Sequence, residues 1–352
     1  MRELAKQFTL NTNQNLFLTG KAGTGKTTLL KEILKETDKQ CLVAAPTGVA
    51  AINAGGVTLH SLFLLPLRAF IPETNPTLNP DVFCDATDLV KNQKFRRDKL
   101  DLFLQLEMLV IDEISMVRVD LLEAIDYTLR RVRKNSQPFG GVQILAIGDL
   151  YQLPPVVRHD VEGPLSNYYS GFYFFGSPAW QKSKSVTIEL DRIYRQEDKE
   201  FIGLLNAIRN GKRDQSVLDK LNERYSPDNI PEEVITLTTH VRQATEINQS
   251  KLGALNSDII KFSADINGKF PENSYPVGET IELKEGAQVM FIRNHPDGLY
   301  YNGKIGIISK ISGRVYIFHP DSTAHPASAK FRPVVAKYAQ LAANKMAQSG
   351  LW

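Results

Sequence analysis

Gly20-Lys21-Ala22-Gly23-Thr24-Gly25-Lys26-Thr27 has the spacing G-x-x-x-x-G-K-[ST] of a phosphate-binding loop. Leu16-Phe17-Leu18 before it reads as a buried strand, and Thr28-Leu29-Leu30-Lys31-Glu32-Ile33-Leu34 after it falls at helical spacing. Strand, glycine turn and helix in that order imply an α/β fold of the P-loop NTPase type, a parallel sheet with helices on both faces. The glycines let the backbone close around phosphate oxygens, so that N–H groups and the positive helix end face the anion. The expected nucleotide-binding set is Gly20, Ala22, Gly23, Thr24, Gly25, Lys26, Thr27 and Thr28. Lys26 would reach the β- and γ-phosphates of ATP, and Thr27 would place its hydroxyl on Mg²⁺. A glycine turn before an ordinary helix is the plain alternative; all four fixed positions matched in context weigh against it.

Leu106-Glu107-Met108-Leu109-Val110-Ile111-Asp112-Glu113 runs apolar residues into two carboxylates, the form of a Walker B strand. Such carboxylates are costly at the end of a buried strand unless a cation or water satisfies them. Asp112 is therefore the expected Mg²⁺ ligand and Glu113 the expected general base. A helix N-cap is the other reading. A third strand, Gly140–Asp149, leads to Leu150-Tyr151-Gln152-Leu153-Pro154-Pro155. Gln152 just past its end is placed to sense the γ-phosphate.

At 352 residues the chain is long enough for two domains. Hydrophobic residues at 42% and charged residues at 23% suit a globular protein. The net charge of +3 leaves any nucleic-acid surface to a local groove. Two distant cysteines, Cys41 (expected buried) and Cys84, make neither a disulfide framework nor a metal site. No apolar run approaches the roughly 18 residues of a membrane span, and no signal-peptide pattern opens the chain. A non-membrane, intracellular protein is expected, nucleoid-associated in a bacterium.

Gln40–Ala45 reads as another buried strand, ending in Pro46-Thr47-Gly48 before a helix from Val49. Thr58-Leu59-His60-Ser61-Leu62-Phe63 follows; a lone histidine is usually structural, and Phe63 is a core candidate. Residues 64–100 look like an irregular insertion with a basic tail, Lys91 to Arg97, either a solvated face or a DNA contact. Together Gly20–Thr27, Ala45–Ala51, Thr58–Ser61, Ile111–Met116 and Gly148–Pro155 resemble motifs I, Ia, II and III of the PIF/RecD-like branch of superfamily 1 DNA helicases. Ile193-Tyr194-Arg195-Gln196 resembles its motif IV.

The resemblance implies two RecA-like motor domains, at 1–192 and, in partial form, 193–320. In the tail at 321–352, Val335, Tyr338, Leu341 and Ala342 fall near helical spacing, so a helix is expected from about 331. The resemblance also implies an arginine finger at Arg195, for which a surface helix arginine is the other reading. DNA contacts would come from Pro46, Thr47, Gly48, Thr58, His60 and Phe63. ATP and Mg²⁺ would be the cofactors, single-stranded DNA and its junctions with duplex the partners, and the protein a monomer. Movement would be 5′ to 3′, in the service of repair, recombination and telomere maintenance. The family's adenine-binding glutamine has candidates in Gln7 and Gln14.

Residues 233–252 look like the opening βα unit of the second domain, and Leu283–Phe291 and Tyr301–Gly306 like its later strands. The resemblance covers about residues 8–310; the family's His-Lys-Ser-Gln-Gly motif and its last arginine motif are not found. The expectation is an ATP-dependent helicase, with an incomplete copy as one reading of the missing motifs. The alternatives are a nucleotide-regulated DNA-binding ATPase without unwinding and a P-loop ATPase acting on protein, against which the Gly148–Pro155 wording argues.

Overall fold

A computed structural model of the chain describes residues 1–194, 198–212, 214–223, 225–226, 235–263, 279–291, 300, 304–312 and 315–318. The chain packs as two compact units, residues 1–224 and 225–352.

In the first unit, helix α1 (Arg2–Asn11) precedes β1 (Leu16–Gly20), α2 (Lys26–Glu36), β2 (Cys41–Ala45), α3 (Gly48–Ala54), β3 (Val57–Thr58) and α4 (Leu59–Phe63). A pair of two-residue strands, β4 (Ala69–Phe70) and β5 (Phe83–Cys84), then leads into α5 (Ala86–Asn92) and α6 (Arg97–Gln105). Next come β6 (Met108–Ile111), α7 (Val119–Arg133), β7 (Gln143–Ile147), α8 (His159–Ser166), α9 (Pro178–Lys182) and β8 (Val186–Leu190). Helices α10 (Lys199–Arg209) and α11 (Gln215–Asn222) belong to the same unit.

The sheet is parallel, in the order β3-β2-β6-β7-β1-β8. All residues of β6 and β7 are buried, as expected for central parallel strands covered on both faces. The period of two divides their side chains cleanly. Phe17, Leu109, Ile111, Ile144 and Ala146 face a core completed by α7. Leu16, Leu18, Met108, Val110, Leu145 and Ile147 face one completed by α1 and α2.

The strands are shorter than the apolar runs suggest. Gly140 and Gly141 have positive φ inside a tight 3₁₀ turn, so the seventh strand starts only at Gln143. Cys41 is half-exposed rather than buried. Residues 64–100 are also more ordered than their irregular pattern suggests. Phe70, Cys84 and Leu89 join the α7-side core together with Phe103 of α6. Two-residue strands carry too few residues to display a period, which is why this packing is invisible in sequence.

In the second unit α12 (Val241–Ala254) precedes an antiparallel pair, β9 (Ile260–Ser263) with β10 (Thr280–Leu283). A separate antiparallel sheet follows, β11 (Gln288–Met290), β12 (Ile305–Ile311) and β13 (Val315–Phe318). Leu283, Ala287, Phe291, Tyr300 and Ile308 form a core shared by α12 and both sheets, with the Phe291 and Tyr300 rings stacked 4.1 Å apart. No strand forms over residues 235–240. There Thr238 Oγ1 donates to the His240 carbonyl and Thr239 Oγ1 pairs with the His240 ring, local bonds that compete with a ladder. Residues 233–234, Tyr301-Asn302-Gly303 and the tail at 321–352 lie outside the described residues.

Candidate active site

The order β6-β7-β1 sets three loops side by side at the carboxyl edge of the sheet, where open α/β sheets bind ligands. The first is the glycine loop. Gly20 sits at φ 149°, and a Cβ there would lie 2.6 Å from the Leu190 carbonyl oxygen, so no larger residue fits between β1 and β8. Gly25, at φ 83°, is the left-handed N-cap of α2. Thr24 is buried and donates to the Lys21 carbonyl, bracing the loop rather than facing out of it. Ala22, Thr27 and Thr28 are exposed at its mouth. Lys26 Nζ donates to the carbonyls of Gly20 (2.7 Å) and Lys21 (3.1 Å). Burial lowers its pKa, against the pull of Asp149, Glu113 and Asp112.

The second loop follows β6. Asp112 is 6% exposed, and burial, with the neighbouring Glu113, pushes its carboxyl up to about 6. The Glu113 amide and Lys26 oppose that rise. Oδ1 accepts from the Glu113 amide at 3.0 Å; among the described residues no donor reaches Oδ2. A buried carboxylate with a spare oxygen at the end of one strand, and an exposed threonine hydroxyl at the start of the P-loop helix, are donors that suit Mg²⁺, a cation that keeps several waters and takes one or two protein oxygens. Glu113 adopts φ 52° and ψ 43°, a left-handed conformation that costs a β-carbon residue about 1–2 kcal/mol and that Leu64 and Lys134 adopt elsewhere in this chain as helix C-caps.

The third loop follows β7, between the other two. Asp149 is 1% exposed and accepts from the Tyr151 amide, Gln152 Nε2 and Arg209 Nη1. Burial would raise its carboxyl, but the Arg209 guanidinium, the Tyr151 amide and Gln152 together hold it below the usual carboxylate range. Gln152 is exposed just past the strand end.

A family model for PIF1-like helicases matches residues 1–218. The chain belongs to the PIF1-like helicase family. It is 33% identical to the ATP-dependent DNA helicase RRM3 of Saccharomyces cerevisiae over 307 residues, 83% of this chain and 39% of that protein. It thus spans about two fifths of the length of that curated relative. A crystal structure of Pif1 helicase from Bacteroides in complex with ADP-AlF3 and single-stranded DNA matches at 40% identity and a TM-score of 0.75, covering 90% of this chain and 71% of that one. A structure of two coordinating Pif1 helicases at forked duplex DNA matches at 40% identity and a TM-score of 0.77, covering 90% of this chain and 72% of that one.

In this PIF1-like chain the second set of expected residues gathers beside the nucleotide loops. Pro46, Thr47 and His60 line one cavity of about 240 Å³ with Arg68, Arg118 and Val156. Thr47 Oγ1 accepts from the Ala50 amide and Thr58 Oγ1 from the Ser61 amide, so both hydroxyls serve as N-caps with a proton left to donate. Gly48 opens α3. Burial lowers the pKa of His60, Arg118 lowers it further, and Asp120 opposes them.

Phe63 does not belong with these residues. It is fully buried and stacks on Phe103 with centroids 5.1 Å apart, so no base can reach it. Phe63→Ala should lower the unfolding free energy by about 3–5 kcal/mol in urea titration. A variant of wild-type stability with weakened DNA binding would return Phe63 to the DNA surface.

Arg195 lies outside the described residues. Gln7 is bonded to Glu3, and the Gln14 side chain donates to the Lys184 carbonyl. Two further residues neighbour the P-loop, Arg2, which had no local signal, and Tyr194 of the motif IV segment. A Cβ built on Gly25 would come within 3.2 Å of Arg2 Nη1 and 3.9 Å of the Tyr194 ring. Arg2 is held by Glu32 at 2.6 Å, and the Tyr194 amide donates to the Gly23 carbonyl at 2.8 Å. Among the described residues no helix is long and apolar enough to cross a membrane.

Proposed function

We propose that the chain binds ATP with Mg²⁺ and hydrolyses it, and that this drives 5′-to-3′ movement along single-stranded DNA and unwinding at its junctions with duplex. The observation that carries the reading is the meeting of Lys26, Asp112 and Glu113 with the Asp149-held Gln152 at one sheet edge. Lys26 feels the charge of all three carboxylates. Lys26 would neutralise the transferring phosphoryl group, Thr27 and Asp112 would hold Mg²⁺, and Glu113 would take the proton of the attacking water. Mg²⁺ supplies charge neutralisation of the phosphates and fixes their geometry. The cavity lined by Pro46, Thr47 and His60 supports a strand path beside the nucleotide, since a threonine hydroxyl, two arginines and apolar walls suit a sugar-phosphate chain and its bases. Arg195 from the motif IV segment is proposed as the arginine finger, with motor domains at 1–192 and 193–320.

Single-stranded DNA should stimulate ATP hydrolysis, and its binding should weaken as salt rises, because each neutralised phosphate releases counterions. A 5′-tailed duplex should be displaced in the presence of ATP. Stimulated hydrolysis without displacement selects the DNA-binding ATPase that does not unwind. Hydrolysis indifferent to DNA selects an ATPase acting on protein.

A further inference from the structure

Arg209 ends α10, some sixty residues after the loop it touches, and no nucleotide-site motif contains it. Its Nη1 lies 2.5 Å from Asp149 Oδ2, and its guanidinium carbon lies 4.2 Å over the Tyr151 ring. The side chains of the pair are 16% and 1% exposed. A guanidinium held over an aromatic ring while it donates to a buried carboxylate has little freedom left. Its partner oxygen is also the one that accepts from Gln152 Nε2, at 3.1 Å, while Oδ1 takes the Tyr151 amide. One carboxylate thus ties together α10, the aromatic ring and the glutamine.

The chemistry of that tie fixes the glutamine's orientation. A carboxylate only accepts, so Gln152 must turn its amide nitrogen to Asp149. Its carbonyl oxygen and second N–H then remain for an attacking water and a phosphate oxygen. Arg209 is also near enough to Lys26 for its charge to be felt there, which places the pair at the nucleotide cleft.

We propose that Arg209 is a positioning residue for ATP hydrolysis: stacked on Tyr151, it pins the Asp149 carboxylate, and through it aims Gln152 at the γ-phosphate and the attacking water. The assignment rests on the ATPase reading above. It also makes the glutamine's aim depend on where α10 sits.

The test compares Arg209→Ala, Arg209→Lys, Gln152→Ala and the double variant in the full chain with saturating single-stranded DNA. Arg209→Ala should lower kcat about 10- to 100-fold, the scale expected when a reacting geometry loosens. ADP affinity should hold, while affinity for ADP with fluoroaluminate falls with kcat, because only the latter presents the transferring group. Arg209→Lys keeps the charge but loses the planar guanidinium over the Tyr151 ring, and should recover only part of the rate. In the Gln152→Ala background, adding Arg209→Ala should cost no more than about threefold, since the two act as one unit.

An unchanged kcat in Arg209→Ala overturns the assignment. So does the full loss repeated on top of Gln152→Ala, or an equal loss of affinity for ADP and for its fluoroaluminate complex. Wild-type turnover in a Lys26→Ala control counts against the ATPase reading instead. If the wild-type chain binds ADP without turning over ATP, the affinity comparison alone decides Arg209; if it binds no ADP, both ideas fall.

Discussion

Lys26→Ala should lower ATP turnover by about a hundred- to thousandfold, the cost of removing one preorganised charge from developing phosphoryl charge. The folded state should hold nevertheless. Burial lowers the pKa of Lys26, a sign that desolvation of the ammonium outweighs the attraction of Asp149, Glu113 and Asp112. A half-buried cation in that balance contributes little to stability, and its removal costs only two hydrogen bonds, to the Gly20 and Lys21 carbonyls. The melting temperature should therefore stay within about 3 °C of wild type, under 1 kcal/mol for a unit of this size. The measurement is kcat beside a circular-dichroism melt. A large drop in melting temperature would make Lys26 a structural clamp, and wild-type turnover would remove the P-loop from the chemistry.

What the sequence made legible was whatever is contiguous. The phosphate loop, the carboxylate pair after β6 and the Pro46-Thr47 turn are each defined by a few adjacent residues. Their backbone conformation follows from those residues, Gly25 at positive φ being the clearest case. Membership of a parallel sheet was also readable, because β6 and β7 are unbroken apolar runs. Strand ends were less so. Glu107 is tied by its amide and a carboxylate oxygen to Gln40 before the ladder proper begins, a pairing that hydrophobicity does not report.

What stayed hidden was held together across the chain. Asp120, 1% exposed, accepts from the Phe70 amide and from Arg118, which joins the 64–100 segment to α7. Gln93 falls inside the basic tail read as a solvated face or a DNA contact. Instead it is buried, donating to the Phe63 carbonyl and Thr128. Lys91, Lys94, Arg96 and Arg97 around it are exposed, so the tail is one polar anchor flanked by exposed charge, which fits either reading. Arg2 against the P-loop and Arg209 on Asp149 belong to the same class. Each is a charged residue whose partner sits tens of residues away, and neither spacing nor period can report it. His60 and Phe63 show the limit within a single short helix. They lie three residues apart, yet one lines the cavity and the other is core, a difference set by Phe103 from α6.

Glu113→Gln should separate binding from chemistry. The amide keeps the length and shape of the carboxylate, so the left-handed turn at φ 52° has no reason to change. It cannot take a proton from water. Loss of a general base lowers kcat by about 10²–10⁴-fold. ATP affinity should hold or rise, because in the proposed site the substitution would remove a negative charge from beside the γ-phosphate. A variant that binds ATP tightly and does not turn it over should also hold single-stranded DNA in one nucleotide state, since hydrolysis is what would reopen the cleft. The measurements are single-turnover hydrolysis, equilibrium ATP binding and DNA binding in ATP against ADP. Wild-type hydrolysis in this variant would move the base to another residue. Lost ATP affinity with an unchanged single-turnover rate would make Glu113 a part of the loop's architecture, holding the turn after β6 in the conformation that Asp112 needs.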